Sequence, residues 1–385
     1  MADVLVVGAS IAGAATAIHL SRLGYSVDLI DRATFPRRKP CGEGLFAPGV
    51  AELERLGILP DLLPQAQVLS GLRLSFRGHT IDAPVGDPGR PVIGVERRLL
   101  DGALVEAARD AGVHLRLGVT ALGLVEGAGW FNGVETDEGI LTARVIVAAD
   151  GSQSRLRRQG GLSAATTRRG RYGVSGHFAL PESPAPRVEV HLRTGYEVYV
   201  TPVGGRLVNI AVLVGRERAR SLSGRLVEAY REMVEESGAL AEGSVLADVP
   251  MAAGPFPAGA LRAWQSNLVL AGDAAGFFDG VTGDGMSLAL VSARMCAVAI
   301  DRFLATGDSA AFAVYARKRR ALVRNPQLLG RLLLTLAAHP RIGARVASNL
   351  SRHPATFAKL MRINQGERGF TSLRPRDLLA VLTGV

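Results

Sequence analysis

Asp3-Val4-Leu5-Val6-Val7-Gly8-Ala9-Ser10-Ile11-Ala12-Gly13-Ala14-Ala15 is the stretch that decides the fold. Residues 3–7 form an unbroken apolar run, the pattern of a parallel strand buried on both faces. The run stops at Gly8-x-Ser10-x-x-Gly13, and an alanine-rich helix is expected to follow to about residue 23, with Gly24 as its C-cap. Residues 25–31 read as a second strand ending in Asp31, 23 residues after Gly8. Each residue has a physical task in a dinucleotide turn. Gly8 permits the tight turn, and Gly13 lets the helix pack against the strand. Ser10, Ile11 and Ala12 sit at a helix N-terminus, where free N–H groups and a partial positive charge suit a pyrophosphate. Asp31 can accept hydrogen bonds from a ribose diol, with Arg32 beside it. Ser10 stands where the pattern carries glycine.

Working outward, the chain of 385 residues is 48% hydrophobic and 21% charged, which excludes intrinsic disorder. Its 46 glycines show no three-residue period and point instead to many tight turns. Two cysteines, Cys41 and Cys296, cannot build a disulfide framework, and no Cys/His spacing suggests a metal site. The N-terminus is not expected to be a signal peptide, and no apolar run is long enough to span a bilayer, so a cytoplasmic protein is expected. A helix is expected over 97–112, short strands at 114–117, 121–125, 133–136 and 140–142, and a buried strand at 143–149. From about residue 171 the texture changes to successive strands at 172–180, 187–193, 197–201 and 207–214, the signature of an antiparallel sheet. A helix over 219–237, a strand at 267–271 and a helix from about Met286 follow. The tail from 301 reads as helices punctuated by Pro326, Pro340 and Pro354. The expected fold is α/β. Residues 1–70, 92–165 and 262–300 form a discontinuous Rossmann-like domain. Residues 71–91 and 166–261 form an antiparallel-sheet substrate domain, and 301–385 a basic helical region.

Two further turns narrow the cofactor. The strand Val145-Ile146-Val147-Ala148-Ala149 ends in Asp150-Gly151. The strand Leu268-Val269-Leu270-Ala271 ends in Gly272-Asp273-Ala274, running on to Thr282-Gly283-Asp284-Gly285-Met286. The trio of G-x-S-x-x-G, a strand ending in Asp-Gly, and a strand ending in Gly-Asp-Ala resembles the FAD-dependent class A flavoprotein monooxygenase superfamily. That superfamily has the para-hydroxybenzoate hydroxylase fold and includes geranylgeranyl reductases and flavin-dependent halogenases. The resemblance covers residues 1–300. It implies FAD, with Asp273 on a ribityl hydroxyl, Gly272 close to the flavin chain, and Arg97 of Arg97-x-x-Leu100-Asp101 on the phosphates or ribose. The Asp150-Gly151 turn would serve FAD and NAD(P)H. The helix starting near Gly285 and Met286, after Gly283, would aim its N–H groups at the flavin N1/O2 edge.

The segment Lys39-Pro40-Cys41-Gly42-Glu43-Gly44-Leu45 resembles the Lys-x-Cys-Gly loop of the geranylgeranyl reductase group, which lies beside the isoalloxazine. There Arg and Lys neighbours would favour a Cys41 thiolate, against the plain alternative of a small inert residue. The reaction is less legible. Tryptophan halogenases carry Trp-x-Trp and a catalytic lysine, but this chain has only Trp130 and Trp264 and no lysine between Lys39 and Lys318. Archaeal prenyl reductases carry Gly-Tyr-x-Trp-x-Phe-Pro, and the counterpart Gly195-Tyr196-Glu197-Val198-Tyr199-Val200-Thr201-Pro202 lacks the tryptophan. The favoured expectation is a monooxygenase acting on a bulky apolar, secondary-metabolite-like substrate through a flavin C4a-hydroperoxide. Alkene reduction is the alternative, with halogenation and a non-catalytic flavoprotein ranked below both. NAD(P)H, bound transiently, or reduced flavin from a partner reductase would supply electrons. Tyr196, Tyr199 and His177 are candidates for orienting the substrate, and Cys41 for chemistry. Residues 301–385 hold 15 Lys and Arg against 4 Asp and Glu, while residues 1–300 are nearly neutral. The favoured reading of that tail is that its leucines pack on the FAD domain and its arginines are solvated; the alternative is weak, salt-sensitive association with an anionic membrane or an acidic carrier delivering a lipid-like substrate, and nucleic acid is not expected.

Overall fold

The computed structural model describes residues 1–86, 89–164, 170–256 and 259–383, so the expected boundary at 165/166 lies outside the described residues. The first strand, Ala2–Val7, is the centre of an eight-stranded sheet. It pairs in parallel with Gly139–Ala148 on one side and Val27–Asp31 on the other. Leu268–Leu270 extends the sheet beyond Gly139–Ala148, and His114–Leu117 extends it beyond Val27–Asp31. Side chains of the central strands are fully buried on both faces, as their unbroken apolar runs require. The alanine-rich helices Ile11–Arg22 and Gly285–Thr306 pack against each other and over one face. Alanine permits that close approach.

A second eight-stranded sheet carries Arg171–Ala179, Leu207–Gly215, Tyr196–Gly204 and Arg187–Arg193 in antiparallel order. The hairpin Gly71–Phe76 and His79–Pro84 joins its edge, pairing in parallel with Arg187–Arg193. This sheet has two differently covered faces. One packs Val174, Val198, Val212 and their neighbours on the helix Leu226–Ser237. The other presents Leu72, Phe76, Val190, Leu192 and Tyr199 to the tail helices.

Several sequence expectations are corrected. Residues 139–148 form one strand, not two: its first half pairs antiparallel with Phe131–Thr136, and its second half parallel with Ala2–Val7. The helix expected over 219–237 is broken, because Ser223 is extended and Gly224 takes φ +74°, leaving Leu226–Ser237 as the helix. Pro326 lies inside the long helix Ala310–Ala338, whereas Pro340 and Pro354 each begin a new helix, where a missing N–H is harmless. Among the described residues no helix is long and apolar enough to cross a membrane.

The tail is bolted to the sheets at defined points. Tyr315 donates to the Leu270 carbonyl at 2.8 Å, and Arg319 to the carbonyls of Gly272 and Gly276 at 3.1 and 2.9 Å. Pro340–Arg352 and Pro354–Asn364 lie across His79–Pro84. Gly343 makes the first of these contacts possible, since a Cβ there would sit 2.5 Å from the Leu336 carbonyl oxygen and 2.7 Å from the Phe76 ring. Gly343→Val should therefore cost about 1–3 kcal/mol by overpacking. Limited proteolysis should cut the variant's tail sooner than that of the wild type, and equal cleavage rates would count against this docking.

Candidate functional site

All three glycine-bearing turns open onto one cavity of about 1260 Å³ between the two sheets. That exceeds the roughly 300–1,000 Å³ of a typical ligand pocket, so there is room for a large cofactor and a substrate together. Gly8, Ser10, Ile11, Ala12, Asp31, Arg32, Arg97, Asp150, Gly151, Gly272, Asp273, Gly283, Gly285 and Met286 all line it. Gly13 does not. It sits behind the wall, where a Cβ would lie 1.7 Å from the Gly8 carbonyl oxygen, so its role is helix packing rather than contact. Gly8 takes φ +107°, with the Ala149 carbonyl 2.4 Å from a built Cβ, and only glycine fits there.

The cavity wall is rich in unused polar capacity. No side chain caps the helix Ile11–Arg22 or the helix Gly285–Thr306, and the N-termini of both face the cavity. Asp31 accepts from the N–H groups of Ala9 at 2.8 Å and Ala33 at 2.9 Å, which orient the carboxylate; Arg37 lies 3.6 Å from Oδ2, and Oδ1 keeps a free lone pair. Arg97 Nε, Asp150 Oδ1 and Asp284 Oδ2 are buried without a partner. Burial pushes the carboxyl of Asp284 up to about 6 and also raises that of Asp150. Two free helix N-termini for phosphates and a flavin edge, an oriented carboxylate for a ribose, and a glycine turn with no room for a Cβ together fit FAD.

Ser10 has a partner the sequence does not reveal. Its hydroxyl donates to Asp101 at 3.2 Å and accepts from Arg97 at 2.8 Å. Arg97 and Asp101 form a buried i,i+4 ion pair at 2.8 Å. Burial opposes the Arg97 charge, but Asp101 and Cys41 together outweigh it and raise the guanidinium pKa. The serine at the fingerprint's second glycine position thus anchors the arginine expected to reach the phosphates.

The loop before residue 45 holds the groups most relevant to chemistry. Cys41 lines the cavity, takes a backbone anchor from Ser175 Oγ at 3.1 Å, and lies against the Arg97 guanidinium. Lys39 lines the same wall. Burial, then repulsion from Arg97, lowers its ammonium pKa. Glu43, which the sequence reading passed over, adopts φ +58° and is 3% exposed. Its carboxylate accepts from Arg97 N–H at 2.7 Å and meets His177 Nε2 at 2.7 Å. His177 Nδ1 meets Asp248 at 2.7 Å, and Asp248 in turn pairs with Arg38 at 2.8 Å. Burial disfavours the imidazolium, but Glu43 and then Asp248 raise its pKa to about 9.

Of the substrate-orienting candidates, His177 therefore lies behind Glu43 rather than on the cavity wall. Tyr199 does line the cavity, but its hydroxyl is spent on the Val281 carbonyl at 2.9 Å, leaving the ring face. Tyr196 is corrected. It is three residues from Tyr199, so strand alternation turns it to the opposite face, under Arg218 and among Val198 and Val200. Two clamps also escaped the sequence reading, since their partners are far away in the chain: Arg319 on the third turn, and Arg157, which joins the Ala274 and Ser152 carbonyls at 3.1 and 2.7 Å.

The cavity and its turns define a flavin-binding oxidoreductase, and comparison with known proteins agrees. A family profile described as "FAD binding domain" matches residues 1–326, and the chain belongs to this family as an FAD-dependent oxidoreductase. It is 31% identical to the menaquinone reductase of Mycobacterium tuberculosis, over 91% of each chain. It is 29% identical to digeranylgeranylglycerophospholipid reductase 1 of Methanopyrus kandleri, over 80% of this chain and 83% of the other. Among solved structures, the flavin-dependent brominase Bmp2 superposes with a TM-score of 0.83 at 17% identity, covering 95% of this chain and 93% of that one. A geranylgeranyl bacteriochlorophyll reductase-like protein of Thermoplasma acidophilum superposes with a TM-score of 0.75 at 20% identity, covering 99% and 95%. These two likenesses show the fold.

Ser10→Ala should weaken FAD binding roughly 10-fold or more, the scale of a lost hydrogen bond to charged partners, measured by fluorescence titration of the apoprotein. His177 gives a pH signature. Its pKa is raised on folding, so its contribution to stability is full below about 6.5 and is lost as pH rises through about 9. The destabilisation of His177→Asn relative to wild type, from urea midpoints, should shrink across that interval; a constant difference would contradict the ion-paired imidazolium.

Proposed function

We propose that the protein is an FAD-dependent reductase that saturates a carbon–carbon double bond in a long, isoprenoid-like apolar substrate. The observation that carries this reading is the continuation of the flavin cavity. Beyond Met286 and Tyr199 it runs on between the sheet and the tail helices, walled by Leu72, Phe76, Leu333, Val346 and Phe357. An extended slot of aliphatic side chains suits a flexible hydrocarbon chain better than a small polar aromatic. The activities named for the relatives lend support, since menaquinone and digeranylgeranylglycerophospholipid both carry polyprenyl chains.

Asp31, Arg97, Asp273 and the N-terminus of Gly285–Thr306 would hold FAD, which when bound and reduced, by NAD(P)H or by reduced flavin from a partner reductase, would supply hydride chemistry beside the slot. The chain's own residues do the rest. The N-terminus of Gly285–Thr306 favours negative charge at the flavin edge. The tail helices hold the substrate chain and exclude water, which strengthens each electrostatic contact inside. The second alkene carbon needs a proton, and Cys41 is the thiol on the cavity wall placed to give it. Behind it, the His177 imidazolium holds one proton at Nε2 against Glu43 and one at Nδ1 against Asp248, a charged pair of contacts that fixes the loop carrying Cys41. The missing tryptophan in residues 195–202 is the one observation favouring the alternative, oxygen insertion.

The deciding assay incubates FAD-loaded protein with reductant and a menaquinone or geranylgeranyl lipid under anaerobic conditions. A product heavier by two hydrogens is expected. No anaerobic product, with one labelled oxygen gained under labelled O2, would overturn the reading in favour of monooxygenation. Leu333→Trp, which fills the slot, should raise KM by roughly 5- to 150-fold, the equivalent of about 1–3 kcal/mol for an overpacked apolar site, with FAD content unchanged.

A further inference from the structure

The tail helices are both the roof of the cavity and the most basic part of the surface. Between Asp308 and Glu367 there is no acidic residue, against eleven arginines and lysines. Large apolar side chains are exposed in the same region: Leu332 at 49%, Ile342 at 59%, Leu378 and Leu379 at 52% each, and Leu382 at 66%. Three of these, Leu332, Ile342 and Leu382, also line the cavity. A residue that is both cavity wall and open surface belongs to a mouth. One mouth of the cavity therefore lies where Ala310–Ala338, Pro340–Arg352 and Pro375–Leu382 meet, and the rim there is aliphatic.

The rim is flanked by uncommitted cations. Arg341 and Arg345 lie on the exposed side of Pro340–Arg352, whose opposite side buries Gly343, Ala347 and Leu350. Arg376 is exposed beside Leu378. None of the three has an ion-pair partner among the described residues, whereas the one acid of that helix, Asp377, is taken up by Lys359 at 2.7 Å. Apolar side chains projecting from an arginine-bearing face match the two layers of a lipid surface: acyl chains below, anionic headgroups above. An acidic soluble protein would satisfy the arginines but would leave the leucines around an open mouth.

We propose that the face formed by Leu332, Ile342, Leu378, Leu379 and Leu382, with Arg341, Arg345 and Arg376, docks on an anionic lipid bilayer and sets the cavity mouth into its interface. Resting on the reading of the substrate as a polyprenyl lipid, this lets the hydrocarbon chain pass from bilayer to slot without crossing water.

The test uses the full-length, FAD-loaded protein and flotation with phosphatidylglycerol or phosphatidylcholine vesicles. Wild type should float with phosphatidylglycerol at about 0.1 M salt and largely detach near 1 M, where the screening length falls from about 10 Å to about 3 Å. It should stay down with phosphatidylcholine. The double substitution Leu378→Glu/Leu379→Glu touches exposed side chains outside the cavity, so it should keep the melting temperature and flavin absorbance while flotation falls roughly 10-fold or more. Arg341→Glu/Arg345→Glu should detach at lower salt than wild type. Wild type left at the bottom with phosphatidylglycerol at about 0.1 M salt would overturn the proposal. So would a leucine variant that floats as well as wild type, or binding to an acidic carrier protein in place of vesicles. Flotation needs no turnover. Docking without alkene reduction would sink the proposed reaction and leave this surface standing, and reduction of detergent-dispersed substrate without flotation would do the reverse.

Discussion

One buried carboxylate joins the two halves of this protein. Glu43 accepts the Arg97 N–H from the flavin-binding half and holds His177 Nε2 from the antiparallel sheet, both at 2.7 Å. It does so from a left-handed backbone conformation, φ +58°, that a glutamate adopts only when its surroundings fix it. Removing one partner of such a buried charged set costs about 3–5 kcal/mol, because the others are left unpaired. The position of Cys41, two residues away and tied by its own N–H to Ser175, follows from that anchor. Arg97 follows too, since the residue whose N–H Glu43 holds is the one whose guanidinium reaches Ser10 and Asp101. The geometry of the cavity wall is thus fixed by contacts between segments more than 50 residues apart.

That distance separates what was legible in the sequence from what was not. The turns at Gly8, Asp150 and Gly272 could be read because strand, glycine and helix are contiguous, and each residue's task is local. The antiparallel strands could be read from alternation. The use of Ser10 was hidden, since its partners lie about 90 residues on, and so was Glu43, which looked like one more acid in a glycine-rich loop. Tyr196 was misread for a simpler reason. In a strand, a spacing of three places two tyrosines on opposite faces, and only the burial of Val198 and Val200 on the helix side shows which face is which. The break at Ser223-Gly224 is local propensity prevailing over the amphipathic pattern, whereas the uninterrupted helix through Pro326 shows packing overriding local propensity.

The tail explains how one cavity can serve two ligands of opposite character. Its first helix holds the polar end: Arg319 and Tyr315 pin the strand and turn that carry Asp273, so removing the tail would loosen the cofactor as well as the substrate. Its later helices build the apolar end against Leu72 and Phe76, with Gly343 setting the distance of closest approach. On the proposed reading, a cavity that shields a flavin from water while admitting a long hydrocarbon cannot be closed all round. A substrate opening would lie at the apolar end, away from the phosphate-binding turns, and an opening in an apolar wall exposes apolar side chains. That reading accounts for the exposure of Leu332, Ile342 and Leu382. The surrounding arginines keep this face soluble when it is free, and give it a charged partner to seek when it is not.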